Sequence, residues 1–483
     1  MPPPPFQAVI FEEAMDKLEG YFFSALFSGC FLLSSVLFSK LTREQREPYM
    51  DEIFHIPQVQ HYYHGHFNQW DPMITTLPGL YLISVGIVKP VAWLFGWNET
   101  VACSAGMLRF VNLLFSLGNL YMLYLIICHI HFKHKVSSFR RILSTLNLFL
   151  FPTLYFFTFL YYTDTGSTFF VLFTYLMCLY GNHKSAALLG LCSFCFRQTN
   201  IIWIIFCAGN LIAEDLAKAW TTHLKKKDEK PAERGTCSEV AEVLLFFFHY
   251  LLSVRNITYL LRLTWPYVIL VIAFLGFLVV NGGIVVGDKS NHEACFHFPQ
   301  LFYFFAFTLV FSFPHLLSIQ KKKDFMKSLT RYPYVYVALT CVFLFLIWQF
   351  TYTHKYLLAD NRHYPFYVWK KIFQRHELVK YMLVPGYIFA AWTFIDALKN
   401  KSTLWLLMFF ACLLVATVPQ KLLEFRYFIL PYLIFRLNVP IPSVAKLLLE
   451  LALYLTVNIL TFHLFLNKPF SWADGEETQR FMW

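Results

Sequence analysis

Apolar runs recur along the whole chain, near 21–39, 74–95, 104–130, 142–162, 167–180, 186–212, 263–281, 298–318, 332–350, 378–397, 403–418, 427–437 and 444–466. A helix needs about 20 apolar residues to cross a bilayer, and several of these runs approach that length. Only 14% of the 483 residues are charged and 57% are hydrophobic, against roughly 25% charged in soluble domains. The reading is therefore an all-α polytopic membrane protein of about twelve spans, folded as a single domain over 1–483. The net charge of +11 would indicate nucleic acid in a soluble protein. Here the cations gather in short loops, which excludes nucleic acid in favour of anchoring at the cytoplasmic face. The 55 Phe residues suit helix interfaces and grooves for long apolar chains, with lipid-facing bulk as the plainer account.

Basic clusters at 133–141, 225–230, 321–331 and 399–401 belong on the cytoplasmic side by the positive-inside tendency. Keeping all four there leaves one crossing between the first span, 21–39, and residue 132. The run 104–130 takes it. The run 74–95 contains Pro78, Gly79, Gly86 and Pro90 and reads as short helices at the membrane surface. Residues 40–103 then form a long first lumenal loop. The segment 186–212 must cross twice, with its turn at Phe196–Arg197–Gln198–Thr199–Asn200. Residues 213–260 become a cytosolic basic loop with an interfacial segment, and 282–297, 351–377 and 419–426 face the lumen. Local charge opposes this map at the first span, which is preceded by Glu12, Glu13 and Asp16 and followed by Lys40, Arg43 and Arg46. No cleavable leader is evident before 21–39, which reads as a signal-anchor. Asn98 begins a lumenal sequon and is a glycosylation candidate, whereas Asn256 and Asn400 face the cytosol. Of eleven cysteines, most lie within apolar runs, and Cys103 and Cys295 form a possible pair.

The polar residues that such a chain does not need collect in the non-cytoplasmic loops. Asp51 and Glu52 stand side by side, followed by His55 and Gln58. On a helix Asp51, His55 and Gln58 share one face, and Glu52 points about a quarter-turn away. Asp51 is either a helix cap or a general base. A second set, at 351–371, comprises His354, Lys355, Asp360, Asn361, Arg362 and His363. An interfacial aromatic belt explains 364–371 but not 360–363, and Arg362 offers a planar fork suited to phosphate. Lys421, Glu424 and Arg426 form a third set, either a structural ion pair or a costly functional cluster. Asp164 reads as a cap with a lesser claim on substrate, and Asp288, His292 and Glu293 could contact sugar. Arg197 sits at the lumenal turn.

A carboxylate, cations and an oily groove suit sugar transfer from a polyprenyl phosphate. The leaving phosphate is stable as an anion, so no general acid is needed, unlike in glycoside hydrolysis. One carboxylate deprotonates the attacking hydroxyl, typically for about 10²–10⁴-fold, and Arg or Lys stabilises the departing charge. No HExxH or DxD-like spacing appears, so no metal is expected. A transporter would place its polar groups near mid-membrane in broken helices. Here they sit in loops on one side.

The strings EPYMDEIFHIPQ, WDPMITTLPGLYL, FRQTNIIW, LLADNRHYPFYVWK, KLLEFRYFILPY and QRFMW together resemble the dolichyl-phosphate-glucose-dependent α-1,2-glucosyltransferases of the endoplasmic reticulum, within the C-type glycosyltransferase superfamily. The resemblance runs over nearly the whole chain. It implies an inverting, metal-independent enzyme without cofactor, whose donor is dolichyl phosphate glucose. The implied acceptor is the diglucosylated glycan on dolichyl diphosphate. It further implies that the active site faces the lumen of the endoplasmic reticulum, in contact with membrane lipid. By this likeness Asp51 is the base and Glu52 the second choice, and Lys355, Arg362, His363, Lys421, Glu424 and Arg426 are substrate-binding candidates, which Asp360, His55, Gln58 and Arg197 join from the polar loops themselves. A dolichyl-phosphate-mannose-dependent mannosyltransferase would use the same local chemistry.

Overall fold

The computed structural model describes residues 5–131, 136–226, 237–289, 294–472 and 477–483. Three sequence-based assignments fall outside these: the 133–135 part of the first basic cluster, the 227–230 part of the second, and the sugar contacts at His292 and Glu293. The side chains of Glu12, Glu13 and Asp16 are likewise not among those described.

Helices dominate, with one two-residue antiparallel strand pair among the described residues, Phe470–Ser471 with Thr478–Gln479. Six described helices are long and apolar enough to cross a membrane: Lys17–Glu44, Ala105–His131, Gln198–Leu224, Val254–Asn281, Pro333–Phe350 and Val444–Asn467. Three shorter apolar helices accompany them, Gly79–Phe95, Pro299–Phe311 and Thr403–Thr417. The expectation of short pieces over 74–95 is corrected: Gly79–Phe95 is one 17-residue helix that carries Pro90 internally. Pro90 loses its hydrogen bond to residue 86, four positions back. That residue is glycine, and packing of Leu80, Tyr81, Ser84, Val88 and Ala92 into the interior holds the helix together.

Many of the phenylalanines fill the interior. Phe394 stacks on Phe435 with centroids 4.1 Å apart, Phe302 on Phe343 at 4.1 Å, and Phe151 on Tyr432 at 4.4 Å. Such offset pairs add about 0.5–1.5 kcal/mol each beyond their buried area. Aliphatic and aromatic side chains on Val254–Asn281 and Pro333–Phe350, among them Val279, Val280, Val337 and Trp348, point outward, as a lipid-facing surface requires.

The loops assigned to one side do meet. Gln198 donates to the Thr75 carbonyl, Val286 N–H to Thr75 and Asp288 N–H to Pro72. Gly287, at φ +73°, lies so close to this strand of chain that a Cβ would stand 2.3 Å from the Pro72 carbonyl oxygen. Cys295 and His297 donate their N–H groups to Pro419 and Val418. Three of the basic clusters find partners: Lys321 with Asp396 at 3.0 Å, Lys401 with Asn438 at 2.6 Å and Arg140 with the Pro442 carbonyl at 2.8 Å. Arg141 also grips Glu19 ahead of the first apolar stretch. This pair neutralises a local acid there and eases the charge conflict around that helix. Cys103 and Cys295 are both free thiols.

Candidate active site

The chain leaves the first long helix at Glu44 and reaches Asp51 through Met50, whose φ of +56° is the one positive value at a non-glycine residue among the described residues. Such a backbone costs of order 1–3 kcal/mol and persists only where its surroundings over-determine it. Those surroundings centre on Glu52. Its carboxylate is fully buried and accepts Arg109 Nε at 2.8 Å, Arg109 Nη2 at 2.6 Å, Tyr161 N–H at 2.6 Å and Tyr49 N–H at 2.9 Å. Arg109, also fully buried, spends its remaining N–H groups on the carbonyls of Gln45 and Glu47. A buried pair of opposite charges is tolerable because nearly every donor and lone pair is occupied.

Glu52 is therefore enclosed, away from the groove. This corrects its standing as second choice for the base: it anchors the turn on which Asp51 sits. Asp51 stands at the N-terminus of the helix Glu52–Tyr63 but makes no side-chain cap hydrogen bond. Its carboxylate meets Arg426 Nη1 at 3.1 Å, and its side chain stays 39% exposed. The Asp51 N–H donates to Tyr162 Oη at 3.2 Å. Arg426 also binds Glu424 through Nε. One guanidinium thus holds two carboxylates, and its Nη2 makes no hydrogen bond among the described residues.

Arg426 lines a small open cleft with Asp164, Arg197, Thr199, Gln420 and Tyr427. Arg197 lies where the helix His183–Phe196 breaks, in extended conformation (φ −148°, ψ 127°). The break turns its guanidinium to Asp164, with Nη1–Oδ1 3.0 Å and Nη2–Oδ2 3.2 Å. The Ser193 carbonyl at the helix end accepts the Arg197 N–H at 3.2 Å and the Asn200 side-chain amide at 2.7 Å. Asp164 is a buried partner of Arg197 in the cleft wall, and its side chain caps nothing.

The remaining candidates divide. His55 lies behind Asp51 with Nδ1 2.5 Å from Tyr81 Oη. Asp360 clasps Arg362 through two bonds of 2.8 Å, so the fork expected to meet phosphate is half engaged. His363 shares this loop and lies within electrostatic reach of both Asp51 and Glu424. Gln58 instead pins the following loop, donating to the Gln69 carbonyl at 2.7 Å and accepting Asp71 N–H at 3.0 Å. Lys355 is exposed over the Tyr356 ring. Lys421 lies beside Cys295 and His297. Asn98 is exposed at the start of a short helix. Sequence reasoning missed Tyr49, Tyr162 and Tyr427. As aromatics in an aromatic-rich chain they carried no distinguishing local signal. Among the described residues no three His, Cys, Asp or Glu side chains are arranged to hold a metal ion.

Burial alone would raise the Asp51 carboxyl, but Arg426 and His55 outweigh it and hold it below the ordinary value of 3.8. Glu424 is lowered in the same way, burial being overcome by Arg426. Burial pushes the His55 imidazole down to about 4, with Asp51 opposing. Both shifts are downward, so the carboxylate and the neutral imidazole are lost only as pH falls through the lowered values. In a His363→Gln variant, which removes the other nearby imidazole, kcat/KM is expected to be flat from about pH 5 to 8. An inflection near the ordinary histidine value would show that His55 titrates normally.

A bundle of apolar helices that gathers a carboxylate, a bridging arginine and a polar cleft at one end defines an integral membrane enzyme. Residues 45–437 match the DIE2/ALG10 family, and the chain belongs to it. A human relative named Dol-P-Glc:Glc(2)Man(9)GlcNAc(2)-PP-Dol alpha-1,2-glucosyltransferase is 61% identical, over 97% of this chain and 100% of its own length. Relatives of the same name from Arabidopsis thaliana and Drosophila melanogaster are each 33% identical over 90% of this chain, covering 95% and 93% of their own lengths. No solved structure matches the chain.

Proposed function

We propose that this chain is an inverting glucosyltransferase that moves glucose from dolichyl phosphate glucose onto the diglucosylated lipid-linked oligosaccharide in α-1,2 linkage. It works within a C-type fold of about twelve spans in the endoplasmic reticulum membrane, with the site facing the lumen. The relatives' shared name supports the substrates. The observation that carries the chemistry is the Asp51 carboxylate resting on Arg426 at the cleft.

The acceptor hydroxyl attacks the anomeric carbon from the face opposite the phosphate. Asp51 accepts the hydroxyl proton as the new C–O bond forms. The bond from the anomeric carbon to the phosphate oxygen breaks, and dolichyl phosphate leaves with one more negative charge. Arg426, with Nη2 still available, takes up that charge. Arg197 and Arg362 add positive potential nearby, each tethered to its own aspartate and so held in place. Resting Asp51 is a weak base because Arg426 stabilises its anion. Donor phosphate on Arg426 competes for that guanidinium and returns basicity to Asp51 when a proton must be taken. The charge is handled by guanidinium groups, and no cofactor enters the scheme.

The test is transfer by the purified protein from synthetic dolichyl phosphate glucose to a defined diglucosylated acceptor. Dolichyl phosphate mannose is the control donor, and a parallel reaction contains EDTA. Glucose transfer unaffected by chelation is expected. Transfer from the mannose donor instead would reassign the substrate, and loss in EDTA would overturn the metal-independent scheme.

A further inference from the structure

The segment 478–483 lies far along the chain from Asp51 yet touches three of the stretches that build the site. Tyr49, two residues before Asp51, is buried, and its hydroxyl both donates to the Arg480 carbonyl at 2.7 Å and accepts the Arg480 N–H at 2.8 Å. The Arg480 side chain, only 7% exposed, runs back toward the same turn. It donates to Gln45 Oε1 at 2.9 Å, to the Glu44 carbonyl at 3.2 Å and to the Phe465 carbonyl at 2.7 Å. No carboxylate faces it in these contacts. A buried guanidinium satisfied by carbonyls is fixed in direction by them.

Two residues on, the segment grips the loop of Arg362 and His363. Met482 N–H donates to the Arg362 carbonyl at 2.9 Å, and the Met482 carbonyl accepts Tyr364 N–H at 3.1 Å. His363 Nδ1 lies 2.8 Å from the Trp483 carbonyl, and Arg362 Nη1 donates to Gln479 Oε1 at 3.1 Å. The Trp483 ring packs on Tyr364 and on Phe425, which lies between Glu424 and Arg426. One short segment therefore contacts the turn before Asp51, the loop of Arg362 and His363, and the neighbour of Arg426.

We propose that residues 478–483 act as a positioning strap, with Tyr49 and Arg480 as positioning residues that set the distance from Asp51 to Arg426 and to the loop of Arg362 and His363. This rests on the glucosyltransferase reading. Neither residue reaches the reacting atoms. The strap acts through the backbone on either side of the strained Met50. A misplacement of about 1 Å can cost on the order of 100-fold in rate.

The test is Tyr49→Phe, which keeps the edge-on packing against Phe465 and deletes only the shared hydroxyl. Arg480→Lys, which keeps the charge but not the fork, serves as second variant. Both are assayed as full-length protein, per mole folded, with wild type alongside. We expect kcat to fall about 10- to 100-fold, with KM for dolichyl phosphate glucose unchanged within about twofold and a thermal midpoint near that of wild type. A kcat within twofold of wild type in Tyr49→Phe overturns the strap. So does loss of folded protein in both variants that accounts for all the lost activity, since the segment would then be only structural. Failure of wild type to transfer glucose sinks the underlying reading instead, so the two failures are told apart.

Discussion

Asp51→Asn is expected to abolish glucose transfer while leaving the protein folded and membrane-inserted. Asparagine keeps the shape and can still accept a hydrogen bond from Arg426, but it cannot take a proton from the acceptor hydroxyl. Loss of a general base removes about 10²–10⁴-fold. Stability should barely move. The Asp51 side chain is 39% exposed, and exposed ion pairs of this kind are worth about 0–1 kcal/mol. The check is product formation with radiolabelled donor, beside membrane abundance and thermal midpoint in detergent. A variant with wild-type turnover would place the base elsewhere.

Glu52→Ala should behave in the opposite way, although it changes the very next residue. It strands Arg109, which is fully buried, and removes the acceptor for Tyr161 N–H and Tyr49 N–H. Breaking one partner out of a buried pair costs about 3–5 kcal/mol. The expected result is a sharply reduced yield of folded protein and a thermal midpoint lowered by many degrees. The released turn would also let Met50 relax from its left-handed conformation. Removing both charges together, as Glu52→Gln with Arg109→Met, should recover part of the stability without restoring full activity, because the amide oxygen of the substituted side chain can still accept the Tyr161 and Tyr49 N–H groups. A Glu52→Ala protein as stable as wild type would refute the anchoring role.

This contrast shows where sequence reading reached its limit. Adjacent acids in the first long polar loop are visible in the string, and helical geometry places them about a quarter-turn apart. Which one enters the core depends on where Arg109 projects from another helix, and no local rule supplies that. Similarly, Arg362 looks like a free phosphate fork until Asp360 is seen to occupy it. Pro90 was weighed as a breaker by a local propensity that packing overrides. The break at Arg197, by contrast, was legible, because a polar run inside a long apolar stretch has few other accommodations in a membrane.

Composition and the spacing of apolar runs determined the membrane class and singled out the polar loops, Asp51 and Glu52 among them, while the preference for Asp51 came from the resemblance of its motif. The class and the loops follow from the cost of exposing polar groups to lipid, which acts on every residue regardless of its distant partners. Only the tertiary structure decided that Asp51 meets Arg426, 375 residues away, and that Tyr49 meets Arg480, 431 residues away. Those contacts depend on how whole helices pack, and helix packing is set by the sum of many weak, shape-dependent contacts that no short stretch of sequence contains.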